Sequence, residues 1–251
     1  MKIKTIKILV LVIISIINTS LAYAESVNVN LTREGTLAEK VLEKANSLAT
    51  VTELTVSGTI NSDDWNCIAQ QMTSLETLDM KNAKTSFSSL PSFNRKISSF
   101  IMPEGIKSFS FSIDEYNDSL SYIELSNSVE TINSVFSHAS KLKTIKFGKG
   151  LKSITDRGFA WTHNLENIYI SDISSWCNVN FESDECCPFF EWSMGNAVRK
   201  LFVNDKQVTN LVIPEVDHIS NYAFYNCKAI QSIEVSEGCK QIGTDAFSGC
   251  I

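Results

Sequence analysis

Apolar residues return along most of the chain in one spacing, apolar-x-x-apolar-x-apolar, with polar residues between the repeats. The middle apolar residue of each motif, called the anchor here, falls at Leu54, Leu78, Phe100, Ile123, Ile145 and Ile168. The steps between the anchors are 24, 22, 23, 22 and 23 residues. A fixed period in the twenties is typical of a solenoid, in which each turn buries its apolar side against its neighbours. We therefore predict an α/β repeat solenoid, with short parallel strands on one face.

A second apolar pair and an aromatic residue follow the strands in the middle of the chain. Val129 and Ile132 lead to Phe136, for example, and the next cycle repeats this order. One turn should therefore consist of a strand, a bend, a second buried corner and a return that carries an aromatic residue. Glycines, whose positive φ carries little penalty, stand at the predicted bends, at Gly105, Gly148, Gly150, Gly238 and Gly243.

The repeats are predicted over residues 51–170 and again over residues 211–251. The segment between them, 171–210, is too long for one turn and is expected to be an irregular insert. It carries Trp176, Trp192 and three cysteines, and Leu201-x-Val203 could be a further strand inside it. The insert could pack its aromatic residues back on the solenoid or could form a functional loop. At the other end of the array, Ile251 would begin another strand, so the last turn is expected to be truncated or uncapped.

The first 24 residues have the pattern of an export signal. Three lysines precede an apolar run from Ile8 to Ile17, and Ala22-Tyr23-Ala24 offers small residues for cleavage. The run is shorter than the roughly 20 apolar residues of a transmembrane helix. An uncleaved anchor is the alternative.

Residues 25–50 are predicted to form an N-terminal capping segment. Thr36-Leu37-Ala38-Glu39 has the sequence of a capping box, and apolar residues at helical spacing extend the predicted helix from Leu37 to about Leu48. A helix before the first repeat would hide the open apolar face of that repeat. A second helical segment follows the first strand and places on one face Trp65, Ile68, Ala69 and Met72.

Charge argues against one class of partner. Residues 1–24 hold three lysines and no acid, and the remainder has 19 basic against 28 acidic residues, a net charge of −9. Such a chain repels phosphate backbones, so nucleic-acid binding lacks its electrostatic driving force.

The seven cysteines do not dictate a disulfide framework. Cys227 and Cys250 share one phase of the repeat, and we interpret them as small apolar packing residues. Cys177, Cys186 and Cys187 cluster in the insert and could include one bridge. An odd total leaves at least one thiol unpaired within the monomer.

Catalytic and metal-binding patterns are missing from the sequence. The three histidines, His138, His163 and His218, have no zinc-site spacing, and no glycine-rich phosphate loop occurs. We therefore expect no enzyme activity, no cofactor and no metal. A thiol hydrolase that uses Cys177 or Cys187 with His218 is the enzyme alternative.

The repeat resembles the BspA-like type of leucine-rich repeat, whose units carry a strand motif with proline, followed by Ala-Phe-x-x-Cys. The best match runs from Leu211 through Pro214 to Ala223-Phe224 and Cys227. The resemblance covers about residues 51–251, although Phe136 and Phe159 lack the following cysteine. It implies a leucine-rich repeat horseshoe in an exported or cell-surface protein of adhesion type. The implied partners are proteins, such as fibronectin and fibrinogen, or glycans.

The resemblance also directs attention to the exposed side of the strands. In a leucine-rich solenoid, the residues that alternate with the buried anchors line the open face of the sheet. We predict a protein-binding face there, with Glu124 near Lys146, and its candidate residues are Asp79, Ile101, Tyr122, Glu124, Lys146 and Tyr169. Tyrosine is also favoured on strand surfaces for packing alone. The alternative function is a structural module that docks through its open C-terminal turn.

Overall fold

Short parallel strands stacked side by side form the spine of the molecule. A computed structural model describes residues 24–92, 95–109, 119–191 and 198–250. The predicted export signal, apart from Ala24, lies outside the described residues. The strands are β1 (Glu25–Leu31), β2 (Val51–Ile60), β3 (Thr77–Thr85), β4 (Ser89–Leu90), β5 (Ser99–Ile101), β6 (Ser108–Phe109), β7 (Tyr122–Glu124), β8 (Thr131–Asn133), β9 (Thr144–Lys146), β10 (Ser153–Thr155), β11 (Asn167–Ile170), β12 (Asn180–Phe181), β13 (Lys200–Val203), β14 (Lys206–Gln207), β15 (Asn210–Ile213), β16 (His218–Ile219), β17 (Ser232–Val235) and β18 (Gln241–Ile242). The described α-helices are α1 (Leu37–Leu42), α2 (Ser62–Gln71) and α3 (Ile173–Cys177), and 3-10 turns lie at Leu48–Thr50 and Asp184–Cys186.

The predicted anchors lie directly beside one another in the main sheet. This sheet has nine strands in the order β1-β2-β3-β5-β7-β9-β11-β13-β14, and every neighbouring pair is parallel except β13 and β14. Successive register partners are Leu54, Leu78, Phe100, Ile123, Ile145, Ile168 and Leu201. Each of these side chains is at most 1% exposed. The predicted repeat fold with parallel strands is confirmed.

A second row of short strands forms the predicted buried corner. In a three-stranded sheet, β10 lies between β8 and β12, so Ile154 is the register partner of both Ile132 and Phe181. The aromatic residues of the return stack from turn to turn, and the ring centroids of Phe136 and Phe159 are 5.3 Å apart. Because the same side chains seal neighbouring turns, the core runs continuously along the solenoid.

The first strands are longer than the repeat pattern predicts. β2 spans ten residues and β3 nine, whereas β5, β7 and β9 span three each. β2 continues through Gly58, whose φ is +90°. A β-carbon at Gly58 would lie 2.1 Å from the carbonyl oxygen of Leu31. Glycine therefore lets β1 and β2 stay paired to the end of β1, and β2 runs on past the apolar motif that ends at Val56.

A buried carboxylate replaces the predicted capping box at the start of α1. The Thr36 side chain accepts no cap hydrogen bond and donates instead to the Arg33 carbonyl. The Asp64 carboxylate, 2% exposed, accepts from the amides of Gly35 at 2.7 Å and Leu37 at 2.9 Å. It also accepts from the Asn61 amide at 3.1 Å, which completes a true capping box at the start of α2. One side chain thus joins two helix starts. The helix α1 ends at Leu42, short of the predicted Leu48.

At the later bends, glycine is required for close approach rather than for positive φ. The φ angle of Gly105 is +108°, but no positive φ occurs at Gly148 or Gly150. β-carbons at these two positions would lie 2.3 Å from the Ser126 oxygen and 2.0 Å from the Asn127 oxygen. The turns therefore stack backbone against backbone at this corner. The sequence prediction named the right residues, but its reason, positive φ, holds for Gly105 and not for Gly148 or Gly150.

The segment 171–210 contains more regular structure than the predicted irregular insert. β12 extends the second row, and β13 pairs along its whole length with β11. The Trp176 indole donates to the Ala223 carbonyl at 2.7 Å, so this aromatic residue does pack back on the solenoid. The buried Arg199 donates to the carbonyls of Pro188 at 2.6 Å and Thr162 at 2.8 Å. Trp192 lies outside the described residues.

The main sheet ends at a hairpin rather than continuing into the last repeats. β14 folds back antiparallel on β13, and β15 pairs with β17 in a separate sheet. Cys227 and Cys250 are buried with free thiols, as the packing interpretation predicts. None of the seven cysteines forms a disulfide, and all seven lie in the part of the chain that the structure describes.

Replacing Asp64 tests the shared helix cap. We expect Asp64→Ala to lower the free energy of unfolding by about 3 kcal/mol or more, because the amides that donate to the charged carboxylate would lose their acceptor. The matched control is Asp63→Asn, an exposed neighbour that should change stability by less than about 0.5 kcal/mol. Urea unfolding followed by circular dichroism measures both. Equal effects of the two substitutions would contradict the proposed cap.

Candidate functional site

A groove crosses the exposed face of the main sheet where the strands end. It is formed by the ends of β3, β5, β7, β9 and β11, by the bends that follow them, and by the hairpin tip Asn204–Asp205. Its volume is about 390 Å³. We call it the strand-face groove. Because each strand contributes one or two side chains, its chemistry changes stepwise along the solenoid.

Four of the six predicted face residues line the strand-face groove. They are Ile101, Glu124, Lys146 and Tyr169. Asp79 belongs to the same row, as the register partner of Ile101, and Tyr122 lies two residues before Glu124 in β7. The row continues into Phe202, the register partner of Tyr169. The structure thus brings all six positions onto neighbouring strands of one face, while their role in binding stays a prediction.

Glu124 is held in place by two partners. The Tyr122 hydroxyl donates to Glu124 Oε2 at 3.0 Å, and Lys81 Nζ lies 3.3 Å from Oε1. Burial, and after it the charge of Glu124, raises the pKa of the Tyr122 hydroxyl, which therefore remains a hydrogen-bond donor at neutral pH. Lys81 extends from β3 to β7 across the intervening strand β5, which carries Ile101.

Lys146 makes a parallel arrangement at the other end of the groove. Its Nζ lies 3.3 Å from Asp205 Oδ1 and 4.7 Å from the centroid of the Tyr169 ring. The Tyr169 ring also stacks on Phe202 at 4.4 Å between centroids. Glu124 and Lys146 are direct register partners, as predicted. The ion pairs of these two residues nevertheless run to Lys81 and Asp205.

Sequence reasoning missed Lys81 and Asp205. Lys81 lies beyond the apolar motif around Leu78, which ends at Met80, whereas the strand β3 continues to Thr85. Asp205 follows Asn204 in a two-residue hairpin turn, and both residues have positive φ, 51° and 59°. Asn and Asp tolerate positive φ and are common in turns, so this pair is a turn signal, but the residues that follow it, Lys206 and Gln207, show no apolar strand pattern.

The two thiols of the enzyme alternative lack the surroundings of a nucleophile. Cys177 and Cys187 are fully buried, and burial raises the pKa of each thiol to about 12. A catalytic cysteine needs a lowered pKa and access to substrate. His218, the suggested partner, is exposed on β16. The thiol hydrolase alternative is therefore unsupported.

The other histidines lie on the return side of the solenoid. The His138 ring stacks on Trp161 with centroids 5.7 Å apart, and the His163 ring meets Trp161 edge-on at 6.0 Å. His138 Nδ1 also lies 3.0 Å from the Ser137 hydroxyl. Within the described ranges, no cluster of three or more His, Cys, Asp or Glu side chains is arranged to hold a metal ion.

Comparison with protein families identifies the class of the chain. Residues 104–187 and 197–251 match the family described as BspA type leucine-rich repeat region, and the match comprises six copies of the repeat. These segments cover more than half of the sequence, so the chain belongs to this family of leucine-rich repeat proteins. Such repeat proteins typically take part in protein–protein interaction, and BspA-type members are typically exported or bound to bacterial surfaces.

Solved leucine-rich repeat proteins also align with the chain. One from Bacteroides ovatus shares 19% sequence identity, with 83% of this chain and 67% of that chain covered and a TM-score of 0.29. Another from Eubacterium ventriosum shares 13% identity, with 91% and 90% covered and a TM-score of 0.28. No curated protein matches the chain. Among the residues described, no helix is both long and apolar enough to cross a membrane.

Thiol labelling tests the assignment of the cysteines. In the native chain at pH 8, we expect one thiol, Cys239, to react rapidly with a chromogenic disulfide reagent, because the other six are buried. All seven should react after unfolding in urea. Peptide mapping of the labelled product identifies the site. Rapid native labelling of Cys177 or Cys187 would revive the thiol hydrolase alternative.

Proposed function

We propose that this chain is an exported leucine-rich repeat protein that binds other proteins through the strand-face groove, without a covalent step. The observation that carries the proposal is the row of charged and aromatic side chains on neighbouring strands, from Lys81 to Asp205. Aromatic residues beside long charged side chains are enriched at the energetic centres of protein interfaces. Function in a repeat protein resides in such a site and not in the fold itself.

The support for a binding role is the order of the groove side chains. Tyr122 fixes the carboxylate of Glu124, and Phe202 fixes the ring of Tyr169. Side chains that are already ordered lose less conformational freedom on binding, and this reduces the entropic penalty of association. The surface ion pairs themselves contribute only about 0–1 kcal/mol each to folding, so a partner can replace them at low cost.

Cell-surface adhesion is the setting we propose for this binding. The predicted export signal over residues 1–24 and the family membership support it. In this proposal, the repeats curve as a horseshoe with the strand-face groove on the inner side, and α1 covers the first turn. The partners are extracellular proteins, with fibronectin and fibrinogen as the first to test, and surface glycans as a second class.

Loss of two tyrosines tests the groove. We expect Tyr122→Ala combined with Tyr169→Ala to weaken binding to immobilised fibronectin or fibrinogen at least about tenfold, since truncation of central aromatic residues costs about 2 kcal/mol or more. Surface plasmon resonance with the chain from residue 25 onward measures this. Lys240→Ala, at an exposed ion pair with Asp217 away from the groove, is the matched control. Unchanged affinity of a folded double variant would refute the groove as the site.

A further inference from the structure

The strands that line the groove lie in the interior of the main sheet. Each strand from β3 to β13 that lines the groove is paired with a neighbour on both sides. The groove floor is also occupied, because the Asn127 side chain donates to Glu104 at 3.2 Å and accepts from the Lys149 amide at 3.1 Å. The groove therefore offers no free strand edge to which a ligand could add a strand, and its lining presents mainly side chains.

This restriction favours a ligand that satisfies its own backbone. An extended peptide in the groove would lose water from its amide and carbonyl groups and find no strand edge to replace it, which is unfavourable for every such group that a groove side chain does not reach. An α-helix forms those hydrogen bonds internally and presents side chains only. Helix binding in a groove is a recurrent recognition mode, with one side chain per turn facing the receptor.

The dimensions of the groove also match a helix. Neighbouring strands are about 4.8 Å apart, and one helical turn rises about 5.4 Å, so the two spacings are similar and five strand spacings correspond to somewhat more than four helical turns. Five strand spacings separate β3 from β13 and give a groove about 24 Å long. A helix of about 16 residues has this length.

The charges at the two ends of the groove have opposite signs and are accessible. The Lys81 side chain at the β3 end is 64% exposed, and the Asp205 side chain at the hairpin end is 80% exposed. Their partners Glu124 and Lys146 are more deeply held, at 22% and 30%. A charged ligand can therefore reach Lys81 and Asp205 and take the place of Glu124 and Lys146 as their ion-pair partners. Glu124 and Lys146 are themselves less accessible to a ligand.

Between these charges, the groove offers apolar surface at two points. Ile101 lies under the Lys81–Glu124 pair, and Tyr169 lies under the Lys146–Asp205 pair. The order cation, apolar residue, anion thus occurs twice along the groove. Movement of the two flexible lysine stems would uncover both apolar residues together.

We infer that the strand-face groove binds an amphipathic α-helix of a partner protein, about four turns long, with an acidic end over Lys81 and a basic end over Asp205. The inference rests on the proposed function and specifies its partner. The apolar face of the helix contacts Ile101 and Tyr169, and the helix axis follows the solenoid axis.

A display selection tests the helix. The probes are two libraries of 16-residue peptides on an alanine-based helical scaffold, with one face randomised, and the second library carries two central prolines that prevent helix formation. The bait is the chain from residue 25 onward. We expect the helical library to be enriched at least about tenfold over the proline library. The enriched peptides should be acidic at one end and basic at the other. Equal or greater enrichment of the proline library would overturn the inference.

Charge reversal tests the polarity. Lys81→Glu gives the groove two acidic ends and should shift the selected peptides toward two basic ends, whereas Asp205→Lys should select two acidic ends. Each exchange should alter affinity by as much as about fivefold, since one surface charge pair is worth up to about 1 kcal/mol. Lys240→Glu, outside the groove, should leave the selection unchanged. The polarity is wrong if all three variants select the same charges.

The outcome also separates this inference from the proposed function. If fibronectin or fibrinogen binding depends on Tyr122 and Tyr169 while the helical library gives no enrichment, the helix inference fails and the groove remains the proposed binding site. If enriched helices bind the Tyr122→Ala, Tyr169→Ala variant as well as the parent chain, both fail.

Discussion

The structure depends on one contact repeated from turn to turn, the lateral stacking of buried anchors in the main sheet. Seven side chains from Leu54 to Leu201 lie in direct register, and each is almost completely removed from water. Full burial of one such side chain contributes about 1.5–3 kcal/mol, and no turn can obtain it alone. The side chains that alternate with the anchors are forced to the other side of the sheet. The strand-face groove is therefore a direct consequence of the same register that builds the core.

The period of the anchors was sufficient to predict this register and the exposed face. Ile123, Ile145 and Ile168 could be placed side by side because the period of the chain fixes the period of the sheet, and Glu124, Lys146 and Tyr169 followed from strand alternation. The burial of the Cys227 and Cys250 thiols was also predictable, because both residues occupy the same phase of the repeat, next to aromatic residues that point inward.

Features that depend on contacts between distant parts of the chain were not predictable. Thr36 and Glu39 have the right residue types for a helix cap, but the amides of Gly35 and Leu37 donate instead to the carboxylate of Asp64, which lies far along the chain. The possible strand at Leu201-x-Val203 could be seen in the sequence, but its pairing with β11 could not, because the linker before it is longer than the period. Lys81 and Asp205 entered the groove because a strand ran on past its motif and a hairpin folded back. Neither the longer strand nor the hairpin changes the spacing of about 23 residues, so the spacing could not predict them.

The fold-back of β14 also has a mechanical consequence. Hydrogen bonds between parallel turns run along the solenoid axis. A pulling force on the ends of the molecule is therefore carried by the bonds of each turn in series. On the sheet side, this ladder is continuous from β1 to β14 and starts afresh at β15. The last two turns are joined to the rest through other contacts, such as the hydrogen bond from Trp176 to Ala223. Under tension, the array should therefore part first at this discontinuity, and the nine-stranded segment that carries the groove should keep its shape while the last turns yield.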